Sequence, residues 1–199
     1  MQNQNQKHVA LSKSREALRR LVLSAMFLAI GLILPFFTGQ IQQIGNMLLP
    51  MHIPVLLCGL ICGWQYGAVV GAVLPVIRSL IFGMPPLFPT AVSMAVELCV
   101  YGLAVGFLYG LFHKQNLFSV YIALIPSMLL GRIAWGGAQY VLLSMDGNTF
   151  TLQAFWAGAF LNAVPGIILQ LLLIPAIMST LHLTGLNRFQ RRPEKEAKS

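Results

Sequence analysis

The sequence predicts an all-α membrane protein with six transmembrane helices and both termini in the cytoplasm. Of its 199 residues, 57% are hydrophobic and only 9% are charged. The mean hydropathy of +0.74 lies well outside the range of soluble domains. The stretch between Leu21 and Asn187 is therefore interpreted as a membrane domain. Its formal charges are confined to Arg78, Glu97, Lys114, Arg132 and Asp146.

Basic residues gather at both ends of the chain. Lys and Arg accumulate on the cytoplasmic side of short flanking segments, so both ends are predicted to be cytoplasmic and the number of crossings to be even. The net charge of +8 thus reflects topology, and no nucleic-acid partner is expected. We divide the chain into a cytoplasmic basic tail (1–18), a six-helix membrane domain (19–183) and a second cytoplasmic basic tail (184–199).

Helix boundaries follow from apolar runs between proline, glycine and polar segments, because one crossing needs about 20 apolar residues. The first run has no small-residue cleavage site and is expected to be retained as a helix. The second is short, which suits a tilted or partly re-entrant segment. The Pro-rich segment 83–89 ends the third, since proline interrupts the helical hydrogen-bond ladder. The predicted helices run from about Arg19 to Phe37, Met51 to Cys62, Tyr66 to Phe82, Phe88 to Phe112, Leu117 to Leu143 and Leu152 to Leu183.

Glycines recur at four-residue spacing in three of the predicted helices. This spacing places each set on one helix face, where small residues let neighbouring backbones approach closely in a membrane. Tight packing between helices is the expected role of these sets. They are Gly59 and Gly63, Gly67 and Gly71, and Gly102, Gly106 and Gly110.

Three ionisable side chains fall within predicted spans, where each is a functional candidate because burying charge in a membrane is costly. Arg78 is predicted near the outer end of its helix, Glu97 about one-third of the way down the next, and Arg132 near the middle of the fifth. In one interpretation Glu97 neutralises one arginine as a structural pair. In the other, the surplus positive charge binds an anionic ligand, since the guanidinium fork matches a carboxylate.

Other polar and aromatic side chains in the predicted spans suit an organic ligand. Amides supply hydrogen-bond donors and acceptors, and aromatic rings supply apolar faces. His52 stands at the predicted outer edge of the short helix, where it contacts a ligand or caps the loop. The amides are Gln139, Asn162 and Gln170, and the rings are those of Trp135, Tyr140 and Trp156.

Motifs of enzymes and metal sites are absent from the sequence. It contains no HExxH, no GxSxG and no Gly-rich phosphate loop, and Cys58, Cys62 and Cys99 lack metal-ligand spacing. No cofactor, metal or ATP hydrolysis by the chain itself is expected. The remaining classes are the binding subunit of a larger machine and a stand-alone carrier or channel, in which Glu97 would be a proton or cation site and Arg78 its counter-ion.

The sequence resembles the S component of an energy-coupling-factor (ECF) transporter. The resemblance rests on an AxxxA step at Ala25 and Ala29, followed in order by a His-Ile-Pro segment, Gly-x3-Gly steps, Pro-x2-Arg at Arg78 and FP-x-A-x3-A-x-EL at Glu97. It covers about Arg19 to Leu183. It implies a six-helix protein that binds a vitamin from outside and docks on a transmembrane coupling subunit with two ATPase subunits. Ala25 and Ala29 would form the docking face.

The resemblance also implies a multi-pass protein of the bacterial plasma membrane whose ligand is a water-soluble vitamin. Pantothenate is the leading candidate, because its one carboxylate suits Arg78 or Arg132 and its hydroxyl and amide groups suit Asn162 and Glu97. Folate, biotin, niacin and neutral vitamins such as pyridoxine stay open. The predicted substrate-binding residues are His52, Arg78, Glu97, Arg132, Trp156 and Asn162.

Overall fold

All the regular secondary structure in the described part of the chain is helical. The computed structural model describes residues 2–38, 50–112, 116–145, 151–158 and 163–183. A 3-10 turn, Leu34–Thr38, extends α1, and a π-helical turn, Leu87–Ala91, leads into α4. The helices are α1 (Gln2–Ile33), α2 (His52–Cys62), α3 (Trp64–Phe82), α4 (Val92–Leu111), α5 (Leu117–Met145), α6 (Leu152–Trp156) and α7 (Val164–Leu183).

The helix boundaries differ from the predicted ones mainly at the two ends of the membrane domain. α1 begins at Gln2, well before the predicted start, although its apolar span is Ser14–Phe37. The predicted last helix corresponds to two helices, α6 and α7, and residues 159–162 lie outside the described part. Pro165 falls in the first turn of α7, where proline costs no helical hydrogen bond.

Within the described residues, five helical segments are long and apolar enough to cross a membrane. The chain is therefore a multi-pass membrane protein on length and composition. α2, with 11 residues, rises only about 16 Å against a hydrocarbon core of about 30 Å. The predicted count of six crossings thus depends on α2. The five candidate spans are Ser14–Phe37, Trp64–Phe82, Leu87–Leu111, Leu117–Met145 and Val164–Leu183.

The short helix α2 forms the centre of the bundle. Every one of its residues from His52 to Cys62 is buried, and it packs against α1, α3, α4 and α7. A helix that is apolar all round is expected in the interior. α2 is therefore surrounded by protein, and the longer helices face the lipid with exposed apolar side chains such as Leu80 and Ile133.

Glycines bring the backbones of α2, α3 and α4 into direct contact. A Cβ atom at Gly59 would lie 2.6 Å from the carbonyl oxygen of Gly102, and one at Gly67 would lie 2.7 Å from Cα of Gly59. A Cβ atom at Gly102 would overlap the backbone of Gly67. The predicted packing role is confirmed for these residues.

Two glycines of the predicted sets have other roles. Gly63 adopts φ +103° between α2 and α3, and its backbone N–H bonds to the carbonyl of Gly59. Such a positive φ favours glycine because it has no side chain. A Cβ atom at Gly110 would meet nothing within 4 Å. Gly63 is thus a turn residue, and Gly110 has open space beside it.

The helix contacts define two ends of the bundle. α3 and α4 run antiparallel, because Gly71 packs on Leu98 and Gly106 packs on Trp64. We call the end where α2 turns into α3 the Gly63 end. The opposite Gly83 end is where α3 finishes at Gly83, which has φ +70°, before the Pro-rich segment leads into α4. The predicted stop of the third helix at this segment is confirmed.

Replacing Gly102 with alanine should separate α3 from α4, because the new methyl group overlaps the Gly67 backbone. We expect the G102A variant to lose about 1–3 kcal/mol of unfolding free energy, as overpacked cores do. Gly110→Ala is the matched control on the same helix and should leave stability unchanged or raise it slightly. Thermal unfolding in detergent micelles measures both, and equal melting temperatures for the two variants would contradict the contact.

Candidate functional site

A buried ionic cluster joins three helices in the interior of the bundle. Glu97 of α4 is only 1% exposed, and its Oε1 lies 2.9 Å from Nη1 of Arg132 on α5. Nε2 of His52, the first residue of α2, lies 3.4 Å from the same oxygen. A buried carboxylate requires a nearby cation, so Arg132 fixes α5 against α4.

The cluster keeps unused hydrogen-bonding capacity. Among the described residues, Nε and Nη2 of Arg132, both ring nitrogens of His52 and Oε1 of Glu97 are buried without a hydrogen-bond partner. The contacts at Oε1 are therefore close approaches of charge rather than aligned hydrogen bonds. Buried polar groups in native proteins are nearly always paired. Spare donors around a neutralised carboxylate are what a polar ligand would need in order to bind here.

Tyr101 completes the cluster. Its side chain is fully buried, and its ring lies 5.2 Å from the His52 ring in an edge-to-face arrangement. Its hydroxyl lies near Glu97 and Arg132 but makes no well-aligned hydrogen bond in the described part of the chain. The ring fills the space beside Gly131, where any Cβ atom would overlap it. The sequence analysis missed Tyr101. Its position four residues after Glu97 was the available signal, because i and i+4 share a helix face.

Gln170 is a second buried polar side chain without a partner. It lies on α7, is fully buried, and neither its oxygen nor its nitrogen has a hydrogen-bond partner among the described residues. α7 packs against both α2 and α5. The Oε1 atom of Gln139 on α5 is likewise buried and unpartnered. The expected amide groups of α5 and α7 are thus inside the bundle with unused hydrogen-bonding capacity.

Arg78 occupies a separate site near the Gly83 end. Its side chain is 3% exposed, and Nη1 donates a 2.7 Å hydrogen bond to the carbonyl of Leu32 on α1. Its Cζ lies 5.3 Å from the centre of the Phe36 ring and 5.5 Å from that of Phe82, within cation–π range. No carboxylate of the described residues pairs with Arg78. The structure therefore does not place it with Glu97 and Arg132.

Two predicted site residues, Trp156 and Asn162, remain. Trp156, on α6, is 53% exposed and packs edge-on against Phe155. Phe155 in turn stacks on Trp135 of α5, one turn from Arg132. Asn162 lies outside the described residues.

The two alanines of the AxxxA step face outward. Ala25 and Ala29 are both exposed on α1, beside exposed apolar side chains such as Met26 and Ile30. The opposite side of α1, including Ser24 and Phe27, is buried. The step therefore lies on the side of α1 that faces away from the bundle.

Removing the Glu97 carboxylate should leave Arg132 as an uncompensated buried charge. We expect Glu97→Gln to lower the unfolding free energy by about 3–5 kcal/mol, as for other broken buried pairs. Adding Arg132→Gln should cost less than the sum of the single changes. The unfolding free energies of the wild type, the two single variants and the double variant, measured in mixed detergent micelles, complete this double-mutant cycle.

The control is a second double-mutant cycle that combines Glu97→Gln with Arg78→Gln. Its effects should simply add, because the two side chains do not touch. Additive losses in the Glu97 and Arg132 pair as well would show that the two groups are not coupled.

Comparison with known proteins assigns the family. A family model described as "ECF transporter, substrate-specific component" matches residues 19–178, which is most of the chain. No curated protein and no solved structure gives a significant match. Members of this family are transport subunits that take a small-molecule substrate and associate with coupling and ATPase components. With five membrane-length helices in its described part, the chain belongs to the substrate-specific components of ECF transporters.

Proposed function

We propose that this chain captures pantothenate, a water-soluble vitamin with one carboxylate, at the outer face of a bacterial plasma membrane. The observation that carries the proposal is the buried, incompletely paired cluster of His52, Glu97, Tyr101 and Arg132. A buried cluster with spare donors is costly unless a ligand completes it. Hydroxyl and amide groups of the vitamin would supply the missing partners.

The charges inside the bundle leave one cation for the carboxylate of the ligand. Arg132 is held at 2.9 Å from Glu97, so these two charges compensate each other. Among the described residues, Arg78 forms no ion pair, and its hydrogen bond and ring contacts are to the neutral carbonyl of Leu32 and the rings of Phe36 and Phe82. A guanidinium held by neutral partners retains its attraction for an anion. We therefore assign the carboxylate to Arg78 and the uncharged groups of the vitamin to the cluster.

The spacing of the two sites suits an elongated ligand. Gly71 on α3 packs beside Leu98, the neighbour of Glu97, and Arg78 lies two helical turns further toward the Gly83 end. Two turns of helix correspond to about 10 Å. Pantothenate carries its carboxylate and its hydroxyl groups at opposite ends, so a single molecule would reach from Arg78 to the cluster.

We infer the topology from the flanking charges. With both basic tails in the cytoplasm and α2 counted as the sixth crossing, the Gly83 end faces outward. Arg78 and the cluster then lie in the outer half of the bundle, where the substrate arrives. The proposed entrance lies beside the Pro-rich segment 83–89. The other segment expected to cover it, 38–50, falls outside the described part at residues 39–49.

The carboxylate assignment predicts how the protein discriminates between pantothenate and pantothenol, in which an alcohol replaces the carboxylate. We expect the purified chain to bind pantothenate about 10- to 100-fold more tightly, the range of a hydrogen bond to a charged group. Arg78→Gln should abolish this preference. Isothermal titration calorimetry in detergent measures each affinity.

The double variant Glu97→Gln with Arg132→Gln is the matched control for this titration. It removes both charges of a pair that compensate each other, so the preference for pantothenate over pantothenol should survive even if both bind more weakly. Loss of the preference in this double variant and its retention in Arg78→Gln would reverse the assignment. No binding of any vitamin by the folded chain would refute the proposed substrate class.

Delivery of the vitamin would depend on docking to the coupling subunit through α1. Ala25 and Ala29 are exposed on one face, and small residues at four-residue spacing allow close backbone approach between membrane helices. ATP hydrolysis by two partner ATPases would then power release inside. The alternative of a carrier or channel with a proton or cation site at Glu97 and Arg78 as its counter-ion is disfavoured, because Glu97 lies against Arg132 while Arg78 bonds to the carbonyl of Leu32.

Bulk at the docking face should weaken assembly while leaving the vitamin site intact. We expect Ala25→Leu combined with Ala29→Leu to reduce co-purification with the coupling subunit at least several-fold, with vitamin binding by the isolated chain unchanged. Ala176→Leu, at an exposed alanine of α7, adds a leucine to another face and serves as control. Equal co-purification of the coupling subunit with the Ala25/Ala29 variant and with the Ala176 variant would place the docking face elsewhere.

A further inference from the structure

We propose that Phe36 and Phe82 are positioning residues for Arg78, and that their rings set how strongly the protein prefers a ligand with a carboxylate. This inference rests on the proposed function, because it concerns the arginine assigned to the vitamin carboxylate. The Cζ atom of Arg78 lies 5.3 Å from the centre of the Phe36 ring and 5.5 Å from that of Phe82. Ring contacts of this kind hold a cation in place without neutralising it.

The two rings come from different helices and contact each other. Phe82 follows Arg78 by four residues on α3, and residues at i and i+4 share a helix face. Phe36 lies in the 3-10 turn Leu34–Thr38 that extends α1. The ring centres are 4.9 Å apart, with an angle of 83° between the planes, which is the edge-to-face arrangement that aromatic pairs prefer. We call this pair of rings the aromatic corner.

The aromatic corner leaves N–H groups of Arg78 available to a ligand. The rings attract the positive charge of the guanidinium as a whole. Among the described residues Arg78 makes one hydrogen bond, from Nη1 to the carbonyl of Leu32. A guanidinium has five N–H donors in a planar fork, so the donors at Nε and Nη2 remain for the two oxygens of a carboxylate.

Holding Arg78 before the ligand arrives should strengthen carboxylate binding. The side chain is 3% exposed and has no carboxylate partner among the described residues, so the rings are the main groups that attract its charge there. A binding group that is already ordered loses less conformational freedom when the ligand binds. The benefit is restricted to ligands that use Arg78. Uncharged groups bound by the cluster around Glu97 should gain nothing from the aromatic corner.

Leucine in place of either phenylalanine tests the positioning role. Phe36 is 41% exposed and Phe82 is 40% exposed, so neither change opens a cavity in the core. We expect Phe36→Leu and Phe82→Leu each to reduce the preference for pantothenate over pantothenol by about 5-fold, the order of one cation–π contact. Affinity for pantothenol should stay unchanged. Isothermal titration calorimetry in detergent measures both affinities.

Two matched controls separate the ring from its position. Tyrosine at residue 36 or 82 keeps an aromatic face and should retain the preference. Phe107→Leu, at an exposed ring of α4 toward the Gly63 end, should leave both affinities unchanged. Equal weakening of both ligands in the leucine variants would show a merely structural role and overturn the proposal. A stronger preference for pantothenate would also overturn it, since the rings would then compete with the carboxylate.

Unfolding without ligand distinguishes failure of this inference from failure of the proposed function. Phenylalanine analogues with one to three ring fluorines, placed at residue 36, weaken the negative ring face with little change of shape. Relative to the same analogues at residue 107, we expect the melting temperature to fall stepwise, and to stay flat when Arg78→Gln is also present. A flat series with Arg78 in place would overturn the inference whatever the chain binds. A stepwise fall in a chain that binds no vitamin would support the aromatic corner and refute the proposed substrate.

Discussion

A carboxylate in the interior of a helical bundle must be matched by positive charge, and the arrangement of this protein depends on how Glu97 is matched. Glycine contacts hold α4 directly against α2 and α3, which fixes the position of Glu97. The ion pair with Arg132 then sets α5, and the approach of His52 places the start of α2 at the same point. Breaking such a pair costs more than forming it gains, so the cluster specifies how these helices assemble.

The second arginine depends on a different contact. Arg78 is held by the carbonyl of Leu32 and the ring of Phe36, both from the end of α1. α1 also presents Ala25 and Ala29 on its outer face. The helix that would meet the partner subunit is therefore also the helix that positions Arg78, the proposed binding partner of the vitamin carboxylate. A shift of α1 along α3 by even a fraction of a turn would break the 2.7 Å hydrogen bond and move Phe36 away from Arg78.

The sequence predicted those features that depend on composition and local spacing. Most of the glycine contacts and the end of the third helix at Gly83 are examples. Glu97, Arg132 and His52 were selected as candidates on the same ground, because the burial of such residue types in a membrane needs a reason. Which arginine pairs with Glu97 could not be predicted, because it depends on the packing of α4 against α5 and of α1 against α3. The burial of Tyr101 was missed since a tyrosine in an apolar helix carries no charge to mark it.

The glycine contacts also bear on how a ligand could leave the site. They lie between the cluster and the Gly63 end. Gly59, Gly67 and Gly102 touch at a level of the bundle that is closer to this end than His52 and Glu97 are. Backbones in direct contact leave no space for a vitamin to pass between these three helices. Opening a path there would separate the closest contacts in the bundle. Movement of the whole helical body, driven by partner subunits, would deliver the ligand with those contacts intact, and this favours a binding subunit over a carrier that opens through its own core.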